Sequence, residues 1–203
     1  MSGTAKLRKS KLANLRLPPP LAEIGNTNKW YPMRVLSRSV VILAFGFGIF
    51  TVLVGCNPQG LEDYNKGVYY QQAGQIDLAE QQFKIALQKN PELAEAHLNL
   101  GLIYLNRGWY DGAEISTKKA VKILERTQRT WVEGSTWQQT LSIAYNNLGA
   151  IEIGRGIEVE SQFDFATARV RWGRAISFFR KAIELNQSNS LAQANIKRFK
   201  NAY

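Results

Sequence analysis

The 203-residue chain holds a single cysteine and a single histidine. One cysteine excludes an internal disulfide, and one histidine would leave a metal site dependent mostly on carboxylates, so redox and zinc chemistry are not expected. The phosphate-cradling GxxxxGK, the nucleophile elbow GxSxG and the metalloprotease HExxH are missing as well. His97 falls in an amphipathic stretch, where a packed ring is a more ordinary role than a catalytic one. Glu158, Glu160 and Asp164 lie close together in sequence, but no nucleophile stands near them, and such runs are usually solvated faces. The expectation is a protein that is not an enzyme and takes no cofactor, metal or small-molecule substrate.

A sustained excess of one charge sign is also missing from most of the chain. The formal charge of +10 suggests nucleic acid until the sequence is divided at Cys56. Residues 1–56 carry eight Lys or Arg against one acid, whereas the remainder carries 18 bases against 15 acids. The basicity therefore belongs to the N-terminal part, where it acts as a topology signal, and nucleic acid is not the expected partner. The alternative is a soluble or cytoplasmic regulatory protein that uses this basic tail on nucleic acid, which would require the apolar run described next to be buried. At 45% hydrophobic and 21% charged residues the composition is that of a globular protein, so one domain plus a tail is expected.

Residues 1–39 form the basic tail. Its first 32 residues lack periodicity and carry Pro18, Pro19 and Pro20, which block a helix, so they are expected to be disordered. Met33 is followed by a short basic stretch (Arg34, Arg38), an uncharged run of 16 residues from 40 to 55, and Cys56. That is the layout of a secretory signal peptide read from Met33 as the true start. The last four residues, Leu53-Val54-Gly55-Cys56, resemble the lipobox of bacterial lipoproteins, which implies lipidation of Cys56. The other reading is an uncleaved transmembrane anchor, at the short limit for a span of about 20 residues. Both readings leave the positive flank in the cytoplasm and place the C-terminal part on the periplasmic, extracytoplasmic or lumenal side.

Beyond residue 60 the pattern becomes amphipathic and repeats. Residues 60–93 and 94–127 superimpose at a spacing of 34, pairing Gly67 with Gly101, Tyr70 with Tyr104, Gly74 with Gly108, Ala79 with Ala113 and Ala86 with Ala120. Small residues let paired helices approach closely, the rings of Tyr70, Phe83 and Tyr104 fill the space between them, Gly74 and Gly108 end the first helix of each pair, and Pro91 stops the second. These positions resemble the tetratricopeptide repeat. The implied fold is all-α: a short solenoid of about three helix-turn-helix units and a capping helix over residues 60–203.

The third unit, 142–189, is interrupted. Gly149 takes the small-residue position with Gly156 at the expected turn, and Ala175, Phe179 and Ala182 keep the spacing of Ala79, Phe83 and Ala86. Fourteen extra residues fall between Gly149 and Ala175, and fourteen more form an insertion at 128–141. The added segments carry Trp131, Trp137, Phe163, Phe165 and Trp172, either as rings buried by longer helices or as a partner-binding surface. Residues 190–203 read as the capping helix.

The resemblance implies a groove lined by the first helix of each unit: Leu61, Tyr64, Val68 and Gln71 in the first, Glu95, Leu98, Leu102 and Leu105 in the second, and Ile143, Asn146, Ala150 and Ile153 in the third. Such a groove suits a helical or extended segment of a protein partner, unless the insertion or the capping helix fills it in cis. Leu98→Glu with Leu102→Glu is then expected to abolish capture without altering the melt. The chain thus resembles membrane-tethered assembly factors, of photosynthetic complexes or of pilus secretin pores. Lipid attachment predicts that Cys56→Ala changes electrophoretic mobility and releases the protein from membranes; unaltered mobility and retention would leave the plain anchor.

Overall fold

The computed structural model describes residues 59–200. Seven helices follow one another among them: α1 (Leu61–Gln72), α2 (Ile76–Lys89), α3 (Ala94–Asn106), α4 (Tyr110–Thr127), α5 (Trp137–Ser161), α6 (Phe165–Leu185) and α7 (Ser190–Lys200). No strand occurs among the described residues, and no described helix is long and apolar enough to cross a membrane. The tail, the apolar run at 40–56 and Cys56 lie outside the described residues.

Each helix packs most extensively on a sequence neighbour, α1 on α2, α3 on α4 and α5 on α6. The reason is local. Gly67 faces Phe83 so closely that a Cβ on the glycine would stand 2.6 Å from the ring. Gly101 meets the Thr117 hydroxyl in the same way at 2.5 Å, and Gly149 meets the Phe179 ring at 2.5 Å. Ala79, Ala86, Ala113, Ala120, Ala175 and Ala182 are all fully buried in the opposing helices. Interiors packed this tightly leave no room for an extra methyl. Gly74 (φ 73°) and Gly108 (φ 75°) take the left-handed conformation at the turns, where glycine avoids the Cβ clash. Pro91 follows the Asn90 cap of α2.

The third hairpin departs from the expected register. Gly156 is not at a turn; it lies inside α5, buried against the indole of Trp172. The chain reverses instead at Phe163, which takes φ 65° in the place the other units give to glycine. The fourteen extra residues add seven to each helix, close to two turns. Consequently the seam repeats in phase: Gly156 meets Trp172 as Gly149 meets Phe179, and Ala168 joins Ala175 and Ala182 in the buried row of α6. Gly156 and Trp172 have the same sixteen-residue separation as Gly67 and Phe83.

The capping residues fit this extended hairpin. Thr136 and Gln139 form a reciprocal capping box at the start of α5, and the Asp164 carboxylate accepts from Thr167 N at 3.0 Å at the start of α6. Of the aromatics in the added segments, Trp172 is buried, Trp137 is half-buried, and Trp131, Phe163 and Phe165 are exposed. The helical reading therefore holds for Trp172, while Phe163 and Phe165 stand at the tip with ring centroids 6.5 Å apart.

Two glycine substitutions separate the seam from ordinary helix. Gly149→Ala should destabilise by about 1–3 kcal/mol through overpacking against Phe179. Gly173→Ala, at a helical position with nothing within 4 Å of the new Cβ, should stabilise by about 0.5–1 kcal/mol. Chemical denaturation followed by circular dichroism reads both; equal effects would remove the seam.

Candidate functional site

The expected groove residues lie along one face of α1, α3 and α5, but the face is largely closed. Leu61, Tyr64, Glu95, Leu98, Leu102, Leu105, Ile143, Asn146, Ala150 and Ile153 are buried, and Val68 and Gln71 are half-buried. Leu98 packs with Ala120, Ile123, Leu124, Leu141 and Ile143 between α4 and α5. Leu105 packs with Ala113, Leu148, Ala150 and Ile151. The expectation that Leu98→Glu would leave the melt unaltered is therefore corrected: at 1% exposure a carboxylate there would be desolvated within the core.

The chain itself occupies parts of this face. Glu95 accepts from the Thr130 hydroxyl at 2.7 Å and from the Trp131 backbone N–H at 2.6 Å, so the connection between α4 and α5 is held onto the start of α3. Asn195 of α7 donates through Nδ2 to Asn146 Oδ1 at 3.1 Å. The turn before α7 is fixed by Asn189 Nδ2 donating to Ser142 Oγ at 2.8 Å, while that hydroxyl donates to the Ala182 carbonyl at 2.6 Å.

A row of asparagines runs through the same helices and is absent from the expected set. Asn65, Asn99, Asn147 and Asn195 occur at spacings of 34, 48 and 48, one each in α1, α3, α5 and α7. That spacing marks α7 as the equivalent of a further first helix. Asn99, Asn147 and Asn195 are buried. Burial, with the nearby Glu95 carboxylate, pushes the Tyr64 phenol up. Asn99 Nδ2, Asn146 Nδ2, Asn147 Oδ1, Asn195 Oδ1 and Glu95 Oε2 find no hydrogen-bond partner among the described residues. Buried amides are ordinarily satisfied; these atoms are shielded from solvent, so the polar capacity they leave lies inside the fold.

Between hairpins ion pairs add to the apolar clusters. Arg107, at the end of α3, reaches Asp77 and Glu80 at the start of α2; Arg155 of α5 reaches Asp111 and Glu114 at the start of α4. Lys84 pairs with Glu80 and Lys118 with Glu114, each at 2.5 Å. Burial alone would push the Glu80 and Glu114 carboxyls up, but the lysine and arginine bonds outweigh it and hold both below their ordinary value. Every member of this arrangement except the arginine recurs at a spacing of 34.

No group of His, Cys, Asp and Glu able to hold a metal ion occurs among the described residues. His97 is buried, and its Nε2–H donates to the Pro91 carbonyl at 3.1 Å. Glu160 is buried in α5, whereas Glu158 and Asp164 are exposed, so the three carboxylates do not share one environment.

A family model described as tetratricopeptide repeat matches residues 64–125. That span covers most of the first two units, where the 34-residue spacing is unbroken. No curated protein matches the chain. Tetratricopeptide repeats bind protein partners, and their fold is typically non-enzymatic.

Burial holds the His97 imidazole below its ordinary 6.5, opposed by the Pro91 hydrogen bond and reinforced by Lys119. The unfolded chain takes up a proton near pH 6.5 that the folded chain resists. The stability this residue contributes is thus whole above that pH and is lost as pH falls through 6.5 toward the folded value. His97→Gln should lose less melting temperature between pH 7 and 5.5 than the parent; equal losses would show a solvated imidazole.

Proposed function

We propose that the chain is a membrane-tethered scaffold that holds a segment of a protein partner on the first-helix side of the repeat, acting by binding rather than by catalysis. The observation that carries this reading is the stack of paired helices, whose 34-residue period coincides with the tetratricopeptide-repeat match over residues 64–125. On the first-helix side Val68 and Gln71 of α1 remain half-buried, and a helical or extended segment laid there would meet them.

The tether rests on the sequence: an apolar run at 40–56, a basic flank before it and a lipobox-like ending at Cys56. Only four residues separate Cys56 from α1, so a lipid or helix at that point would hold the repeat against the membrane. A tether raises the local concentration of scaffold near membrane complexes. The role that fits is assembly of such a complex on the extracytoplasmic or lumenal side, of the photosynthetic or the pilus secretin kind.

A photo-crosslinking residue at the half-buried Val68 tests the reading. Crosslinks to another protein, recovered in the membrane fraction and lost in a Gln71→Glu variant that keeps its melt, are expected. Crosslinks confined to the chain itself would show a groove closed in cis, and release without detergent would remove the tether.

A further inference from the structure

A second surface lies on the second-helix side of the stack. A pocket of about 680 Å³ opens between α2 and α4, with Leu87, Pro91 and Ile123 as apolar lining, His97 beside them, and Lys84, Lys119, Lys122 and Arg126 around them. Glu92 is the one acid in this lining. The size is that of a ligand site, and its origin is visible in the repeat. At the next junction Tyr145 stands 48 residues after His97, the spacing that relates Asn99 to Asn147. The Tyr145 ring packs on Phe178 with centroids 6.2 Å apart, and its hydroxyl donates to Glu125 at 2.7 Å. The smaller imidazole leaves open at the first junction what the phenol fills at the second.

We propose that this pocket binds an acidic segment of a partner protein, seating an aliphatic side chain over Leu87 and Ile123 and its carboxylates against Lys119 and Lys122. Charge complementarity selects that occupant. Lys119 and Lys122 make no ion pair among the described residues, whereas Lys84 is held by Glu80. Lys119 and Lys122 stand three residues apart as neighbours on α4, a like-charge spacing that raises the energy of a helix until an anion neutralises it. Arg126 is paired only with Glu92 across an exposed surface, a contact weak enough for an incoming carboxylate to replace. The apolar floor separates this surface from a bare phosphate site, since an inorganic anion would leave Leu87 and Ile123 uncovered. The site is independent of the first-helix side, because its residues come mainly from α2 and α4.

Fluorescence anisotropy of the full chain with a fluorescein-labelled peptide of alternating Leu and Glu tests the proposal, beside the same peptide with Gln for Glu and beside phosphatidylglycerol vesicles. The acidic peptide should bind and weaken with salt. Lys119→Glu with Lys122→Glu should lower its affinity about tenfold or more, while Lys181→Glu with Lys197→Glu, an equal charge change elsewhere, should leave it within about twofold. His97→Tyr, which fills the pocket as Tyr145 fills its own, should also remove binding without lowering the melting temperature. Equal loss from the two charge pairs, or equal binding of the Gln peptide, would overturn the site. Vesicle binding that depends on Lys119 and Lys122, with no peptide binding, would assign the patch to an anionic lipid surface instead. Loss of peptide binding in Gln71→Glu but not in His97→Tyr would place the peptide on the first-helix side and leave the scaffold reading standing without this pocket.

Discussion

A glycine pressed against a ring sets the distance between the helices of two of the three hairpins. Gly67 on Phe83, Gly149 on Phe179 and Gly156 on Trp172 leave no space for a Cβ, and the alanines opposite are buried to the last atom. Close approach buries apolar area on both sides of the seam, which is the main favourable term in folding. The middle hairpin uses a hydroxyl in place of the ring, with Thr117 against Gly101. Helix α3 shows the result, since every residue from Leu93 to Ile103 is buried. A helix enclosed on all sides cannot also present a broad open groove, and this is why the face expected for a partner is mostly interior.

The hairpins are joined to one another by apolar clusters and by ion pairs. Arg107 and Arg155 each gather two carboxylates from the first turn of the preceding second helix, where acidic side chains also complement the helix dipole. Apolar packing fixes the geometry within a unit and continues across the junction, where Leu98 meets Leu141 and Ile143. The two junctions are alike in their ionic part and differ in what stands beside it, His97 at the first against Tyr145 with Phe178 and Glu125 at the second.

Much of this architecture is legible in the sequence. The 34-residue spacing carries the seam glycines, the turn glycines and the buried alanines directly, because each is dictated by a local steric demand. The asparagine row obeys the same period and its continuation at 48, so the signal for it lies in the sequence; it is hidden by the polarity of asparagine, which gives no hint of burial. The position of the third turn is not legible. Gly156 has the spacing of a turn glycine, yet a glycine seven residues further along a helix also satisfies a seam, and only the full length of α6 distinguishes the two. The closure of the groove by residues 128–136 and by α7 is likewise invisible to periodicity, since it depends on Glu95 and Asn146 meeting segments far away in sequence.

The in-phase lengthening of the third hairpin has a mechanical meaning. Seven residues at about 1.5 Å each carry a helix some 10 Å further, with a drift of only about 20° in the facing direction. Phe163 and Phe165 are therefore borne on an arm that overshoots its neighbours by one such step. Reach and packing are decoupled in this design: the arm can grow or shrink by whole heptads in both helices while Gly149 and Phe179 stay where they are. The domain behaves as a ruler with a fixed graduation, and the exposed rings mark the point to which it has been extended.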